Sequence, residues 1–241
     1  MNIMRLITEK ANDRSGKKIP TIAFLGDSVT QGCFEIFTKN DGNIETVFDK
    51  SSAYHNYLAE ILNELVPEAP VNIVNAGISG DRAPLGYERL QRDVLAFNPD
   101  LTVVCYGLND NSWGLENINL YTDALDNIFK ELKDCGSEVI FMTPNMQNTE
   151  VSPHLGNESF KNLAQCTAER EKAGVLKEYI EAGKAVAAKH NVKVCDVYSK
   201  WQKMASLGVN TTELLANKIN HPTRKMNWLF AFSLLETMLE D

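Results

Sequence analysis

The sequence predicts an α/β protein, a three-layer α/β/α sandwich built on a five-stranded parallel sheet. Three observations point there. Five short, β-rich apolar runs recur along the 241 residues. Longer amphipathic stretches separate them, and each run ends at a residue suited to a sharp turn. Near-continuous apolar runs, as opposed to alternating ones, mark strands buried on both faces of a parallel sheet. Strictly alternating β and α segments imply crossover connections with helices on both sides.

In order, the runs are 21–25 (TIAFL) before Gly26, 71–75 (VNIVN) before Ala76-Gly77, 101–106 (LTVVCY) before Gly107, 138–143 (EVIFMT) before Pro144, and 192–197 (VKVCDV). Helical spacing of apolar residues covers 54–65, 85–97, 120–132, 176–189 and 228–239, the last preceded by Pro222-Thr223 as a helix start. Two segments break the alternation. Residues 34–48 hold two β-like runs around Asn40-Asp41-Gly42, which predicts a hairpin or long loop inserted at about 33–52. Residues 145–164 form a polar, proline-containing stretch read as a long loop. With no repeat and no Pro/Gly/Ser linker, the expectation is one domain over 1–241.

Composition narrows the function. The 24 basic residues against 32 acidic ones give a net charge of −8. No Lys/Arg run exceeds three, so neither nucleic acid nor an anionic membrane surface is an expected partner. Five cysteines are an odd number without a C-x-x-C pair, which fits neither a disulfide framework nor a zinc site. The first 18 residues lack the apolar core of a signal peptide. No window approaches the ~20 apolar residues of a membrane span. The expected compartment is the cytoplasm.

Ligands of such sheets bind beyond the carboxyl ends of the strands, so the residues there are the candidates. After the first strand comes Gly26-Asp27-Ser28-Val29-Thr30-Gln31-Gly32. Ser28 at a helix start is either a cap or a hydroxyl presented to the cleft, with its own N–H free for an anion. After the second comes Asn75-Ala76-Gly77-Ile78-Ser79-Gly80-Asp81, where Gly80 either eases a turn or lets the backbone approach a ligand. Asn109, in Gly107-Leu108-Asn109-Asp110, is a turn amide or a donor to the cleft. His221 precedes Pro222, which holds it extended, while His55 and His190 fall in helical patterns and His154 in the long loop.

Taken together the four blocks resemble the SGNH hydrolases, or GDSL esterase/lipase family, whose motifs contribute a serine, a glycine, an asparagine and a histidine in this order. They match Ser28 in GDSVTQG, Gly80 in NAGISGD, Asn109 in GLND and His221 in NHP, from about residue 22 to the final helix. The resemblance implies a flavodoxin-like fold and a serine-dependent ester hydrolase needing neither metal nor organic cofactor. His221 would take the Ser28 proton, and Ser28 would form an acyl-enzyme. The Ser28 and Gly80 N–H groups with the Asn109 amide would hold the oxyanion. Short acetyl esters, among them esters of carbohydrates, rank first as substrates. Lysophospholipids, acyl-thioesters and a non-catalytic carbohydrate-binding role are the alternatives.

One position departs from the family. Where an aspartate is usual, three residues before the histidine, stands Lys218. A lysine cannot accept the imidazole N–H. A main-chain carbonyl near Lys218 is the expected orienting group, with Asp196 as a more distant acid or a weakened enzyme as the other outcomes. Asp110 is expected to brace the Asn109 loop. Asp27, Trp113 and Phe34, with Phe37, are expected around the substrate pocket, and the inserted hairpin is in position to reach a second copy of the chain.

Overall fold

A computed structural model describes residues 1–240. The chain begins with α1 (Asn2–Asn12), enters the sheet at β1 (Thr21–Gly26), and makes one helical turn, α2 (Ser28–Gln31). A hairpin follows, β2 (Cys33–Thr38) and β3 (Ile44–Phe48), then α3 (Tyr54–Leu65) and β4 (Asn72–Gly77). Next come α4 (Ala83–Glu88), α5 (Leu90–Asp93), β5 (Leu101–Cys105), α6 (Ile118–Asp134) and β6 (Glu138–Met142). The chain closes with α7 (Glu158–Lys172), α8 (Val175–Lys189), β7 (Lys193–Cys195), α9 (Val197–Ser206) and α10 (Arg224–Leu239).

The main sheet is parallel with order β4-β1-β5-β6-β7, the flavodoxin-like winding with its switch point between β1 and β5. The period of two along a strand splits the core. Ile22, Phe24, Val103, Ile140 and Met142 face Ile3, Ile7, Tyr54, Leu58, Trp201 and Phe230 from α1, α3, α9 and α10. Ala23, Leu25, Val104 and Phe141 face Tyr121, Leu125, Phe129 and Tyr179 from α6 and α8. A small third cluster joins Phe160, Ala164 and Ile219, with Ile36 of the hairpin against it, and packs above the carboxyl ends of the strands.

The five strands lie where the apolar runs place them, and the inserted segment is a true antiparallel hairpin. Three elements were not expected. The stretch read as a loop over 145–164 is irregular only to Asn157, whose carboxamide caps α7 by accepting from Ser159 N–H at 2.7 Å. Phe160, Ala164 and Ala168 supply that helix's buried face at i, i+4, i+8. α1 buries Ile3 and Ile7, and α9 is capped by Asp196. The expected single helix over 85–97 instead breaks at Arg89, whose backbone leaves helical geometry (φ −102°, ψ 1°) as its guanidinium turns into the protein. No helix among the described residues is long and apolar enough to cross a membrane.

Candidate active site

Ser28 opens α2 at the end of β1, held there by its neighbour: the Asp27 carboxylate accepts from Val29 N–H at 3.0 Å as the helix cap. The helix lasts one turn because Gly32, at φ 93°, ends it. Close packing fixes the turn against the sheet, since a Cβ on Gly77 would lie 2.2 Å from the Gln31 nitrogen. Only glycine permits that approach. Gln31 in turn accepts from Ser79 N–H at 2.7 Å and so ties the β4 loop to α2.

His221 comes from the far end of the chain, on a loop shaped by one carboxamide. Asn217 Oδ1 accepts from the N–H groups of Ile219, Asn220 and His221 at 3.0, 2.9 and 2.9 Å. The His221 carbonyl accepts from Ala216 N–H at 2.7 Å. The imidazole thus delivered is 4 % exposed, with Nε2 2.9 Å from Ser28 Oγ and Nδ1 2.9 Å from the Phe34 carbonyl. A carbonyl can only accept, so Nδ1 carries the proton and Nε2 is left to accept from the serine hydroxyl. Burial holds the His221 pKa down at about 4, so the ring is neutral at physiological pH.

The orienting group is therefore a carbonyl, but not one near Lys218. It belongs to Phe34, on the inserted hairpin 187 residues away. Lys218, in the left-handed region at φ 59°, turns its ammonium to Glu213 Oε2 at 2.8 Å. Asp196 is occupied with Lys184, Ser199 and Thr143. Arg224, on the first turn of α10, grips the hairpin. It makes a bidentate pair with Glu35 (2.6 and 3.1 Å), bonds Asp49 at 2.8 Å, and lies 4.3 Å above the Phe34 ring.

Three donors belong to residues lining the same cleft as the pair. Gly80 has φ 81° and open space around its Cα. Among the described residues, neither its N–H nor that of Ser28 has an acceptor. Asn109 Nδ2 donates one hydrogen to the Asp81 carbonyl at 2.8 Å, which leaves its second hydrogen free. Asp110, fully buried, accepts from Ala83 N–H (2.9 Å) and Gly107 N–H (3.0 Å) and so braces the Asn109 loop. Burial raises its pKa to about 6. Burial, with Asp110 and Asp81 nearby, raises that of Asp27 to about 7.

Ser28, Gly80, Asn109 and His221 line one cleft of about 290 Å³. The other expected pocket residues do not. Asp27 is 1 % exposed because its carboxylate is spent capping α2. Phe34 is 1 % exposed, with its ring beneath Arg224, so only its carbonyl serves the site. Trp113 stacks on Arg82 at 4.5 Å, outside the wall, and Phe37 stands exposed further along the hairpin. The walls are instead Ile36, Leu163, Ile219, Gln147 and Arg170.

Sequence reasoning also missed Arg89. Its buried guanidinium bonds Asp81 at 2.8 Å, the Ala76 carbonyl at 2.7 Å, and the Gly26 carbonyl and Tyr106 hydroxyl at 3.0 Å each. It thereby holds the ends of β1 and β4 in register beneath Gly80. No sequence signal marked it, since its neighbours at helical spacing, Leu85, Gly86, Arg92 and Asp93, make it one residue of a mixed face.

Fold and cleft define a class: flavodoxin-like α/β sandwiches with a hydroxyl–imidazole pair at the switch point and amide donors beside it. The chain belongs to the GDSL-like lipase/acylhydrolase family, whose model matches residues 24–229. A curated relative, an acetylxylan esterase from Geobacillus stearothermophilus, is 29 % identical over 140 residues, 54 % of this chain and 60 % of the relative. The match thus spans less than two thirds of that protein's length. Among solved structures, an acetylxylan esterase from the same organism superposes with a TM-score of 0.66 at 19 % identity, over 92 % of this chain and 95 % of the other. An α/β hydrolase enzyme from the metagenome of Lake Arreo, Spain, gives 0.65 at 21 % identity, over 90 % and 94 %. At these identities the superpositions speak for the fold.

Proposed function

We propose that the protein hydrolyses carboxylic esters through an acyl-enzyme on Ser28, with small acyl groups, foremost acetyl on carbohydrate hydroxyls, as substrates. The observation that carries this is the Ser28 Oγ–His221 Nε2 contact of 2.9 Å, in a cleft lined also by Gly80, with the Ser28 and Gly80 backbone N–H groups unpartnered among the described residues. A neutral Nε2 at hydrogen-bonding distance removes the hydroxyl proton as Oγ attacks the ester carbonyl. The Ser28 and Gly80 N–H groups and the spare Asn109 hydrogen stabilise the oxyanion. The imidazolium then protonates the leaving alcohol, and water, activated by the same ring, releases the acid. The Phe34 carbonyl keeps the tautomer correct throughout.

The substrate class rests on the cleft and the relatives. A volume of about 290 Å³ with amides and hydroxyls in its walls suits a short acyl group on a polar alcohol better than a long acyl chain. The named relatives include acetylxylan esterases, and serine-to-alanine and histidine-to-alanine forms of one are described as catalytic mutants. Fluorophosphonate labelling and p-nitrophenyl acetate hydrolysis test the reading, with acyl esters of increasing length to rank chain preference. Wild type should label and turn over, whereas Ser28→Ala should do neither. A folded wild type that does neither refutes the proposal, and a Ser28→Ala that still turns over moves the nucleophile elsewhere.

A further inference from the structure

The cleft holds one charged side chain, and it is unpaired. Arg170 lies on the α7 face that walls the site, and its side chain makes no ion pair and no hydrogen bond among the described residues. Its Nε is sealed from water with no acceptor. The adjacent acids are committed elsewhere: Glu171 to the Tyr198 hydroxyl (2.7 Å) and Gln147 N–H (3.1 Å), Glu169 to Gln165 (2.7 Å). No aspartate or glutamate lines the cleft, although the chain has 32 of them. Beside Arg170 a second polar atom is stranded. Gln147 donates to the Leu108 carbonyl at 3.1 Å, but its Oε1 is buried without a donor.

A guanidinium cannot shed its proton, and a buried donor without an acceptor costs free energy that a surface arginine would not. In an acidic protein, a lone cation in an acid-free cleft also focuses a positive potential on the one place where substrate binds. Its planar fork matches a carboxylate, and the neighbouring Gln147 oxygen matches a hydroxyl. We propose that Arg170 is a specificity-determining residue that binds a carboxylate carried by the ester substrate, with Gln147 accepting from an adjacent hydroxyl. This rests on the hydrolase reading above and deepens it: the preferred esters are anionic ones. The carboxylate belongs either to the alcohol, as in an acetylated uronic acid, or to the acyl group, as in a dicarboxylic hemi-ester.

Two matched pairs separate these sources: an acetylated methyl glucuronoside against the acetylated methyl glucoside, and p-nitrophenyl hemisuccinate against p-nitrophenyl butyrate. For one pair, wild type should favour the acid about 10- to 100-fold in kcat/KM, mostly through KM, as expected for a charge-assisted hydrogen bond. Added salt should shrink that ratio. Arg170→Gln should bring it to about one, and Arg170→Lys should keep part of it. Ratios near one for both pairs in wild type, or a preference that Arg170→Gln retains, overturn the proposal. Calorimetric binding of the same pairs to Ser28→Ala needs no turnover. If no ester is hydrolysed, the hydrolase reading falls, and the acid-to-neutral affinity ratio alone decides the role of Arg170.

Discussion

Acidification gives the sharpest test of how His221 is held. A carboxylate partner would stabilise the imidazolium and lift its pKa above the usual 6.5. The Phe34 carbonyl carries no net charge, and burial dominates, so the ring sits at about 4. The free enzyme's base is then still about 90 % neutral at pH 5, where an unperturbed histidine would be about 3 % neutral. Between pH 8 and pH 5, kcat/KM should therefore fall by about a tenth, against roughly thirtyfold for an ordinary imidazole. Acetate release from a neutral ester, followed by NMR, measures this without an acid-sensitive chromophore. Asp27→Asn removes the titration nearest Ser28, which the folded protein places at about 7, and isolates the histidine limb.

Thermal stability is a poorer reporter of the same group. The native histidine binds its proton below about 4 and the unfolded one below about 6.5, so in that window the unfolded state holds more protons. Stability therefore rises with pH across the window, and about 3 kcal/mol is lost as pH falls through it. His55, likewise buried and held at about 4, adds the same sign. Asp27 and Asp110 are raised to about 7 and 6, take up protons in the native state over much of the same range, and oppose it. In Asp27→Asn, a kinetic inflection at pH 6.5 or higher would refute the reasoning, because it requires a carboxylate on His221 or a far wetter site.

Asn109→Ala should lower kcat by roughly 10²–10³, the usual loss for one oxyanion donor, with little change in KM. Steady-state kinetics on p-nitrophenyl acetate checks this, and an unchanged kcat would remove Asn109 from the hole. Arg224→Met and Glu35→Gln should each lower kcat about tenfold by loosening the Phe34 carbonyl, and the double variant little further. Their half-exposed ion pair contributes below about 1 kcal/mol to stability, so a fall in kcat that comes with a large fall in melting temperature would make the clamp merely structural. Gly77→Ala should cost at least about 3 kcal/mol in urea unfolding, because its Cβ meets backbone on α2 and not a side chain able to move aside.

Much of this protein was legible from residue order because the relevant physics is local. Apolar runs such as TIAFL and LTVVCY announce buried parallel strands, and turn chemistry after each one marks where ligands gather. Ser28, Gly80 and Asn109 sit at those turns, and Pro222 fixes His221 before a helix. Local patterning also held α7, through Phe160, Ala164 and Ala168, but the polar and proline-containing residues ahead of it obscured the start.

What tertiary structure alone decided depends on partners far apart in the chain or on groups that every residue shares. The Phe34 carbonyl could not be singled out, since a backbone oxygen has no signature in the sequence and this one acts across 187 positions. Arg89 carries no mark of its role in the sequence, because its four partners, on different strand ends, come together only in the fold. Nothing in the sequence sets Arg170 apart from the other charged residues of α7. Its isolation is a property of the space around it, which exists only once hairpin, helix and C-terminal loop have closed over the sheet.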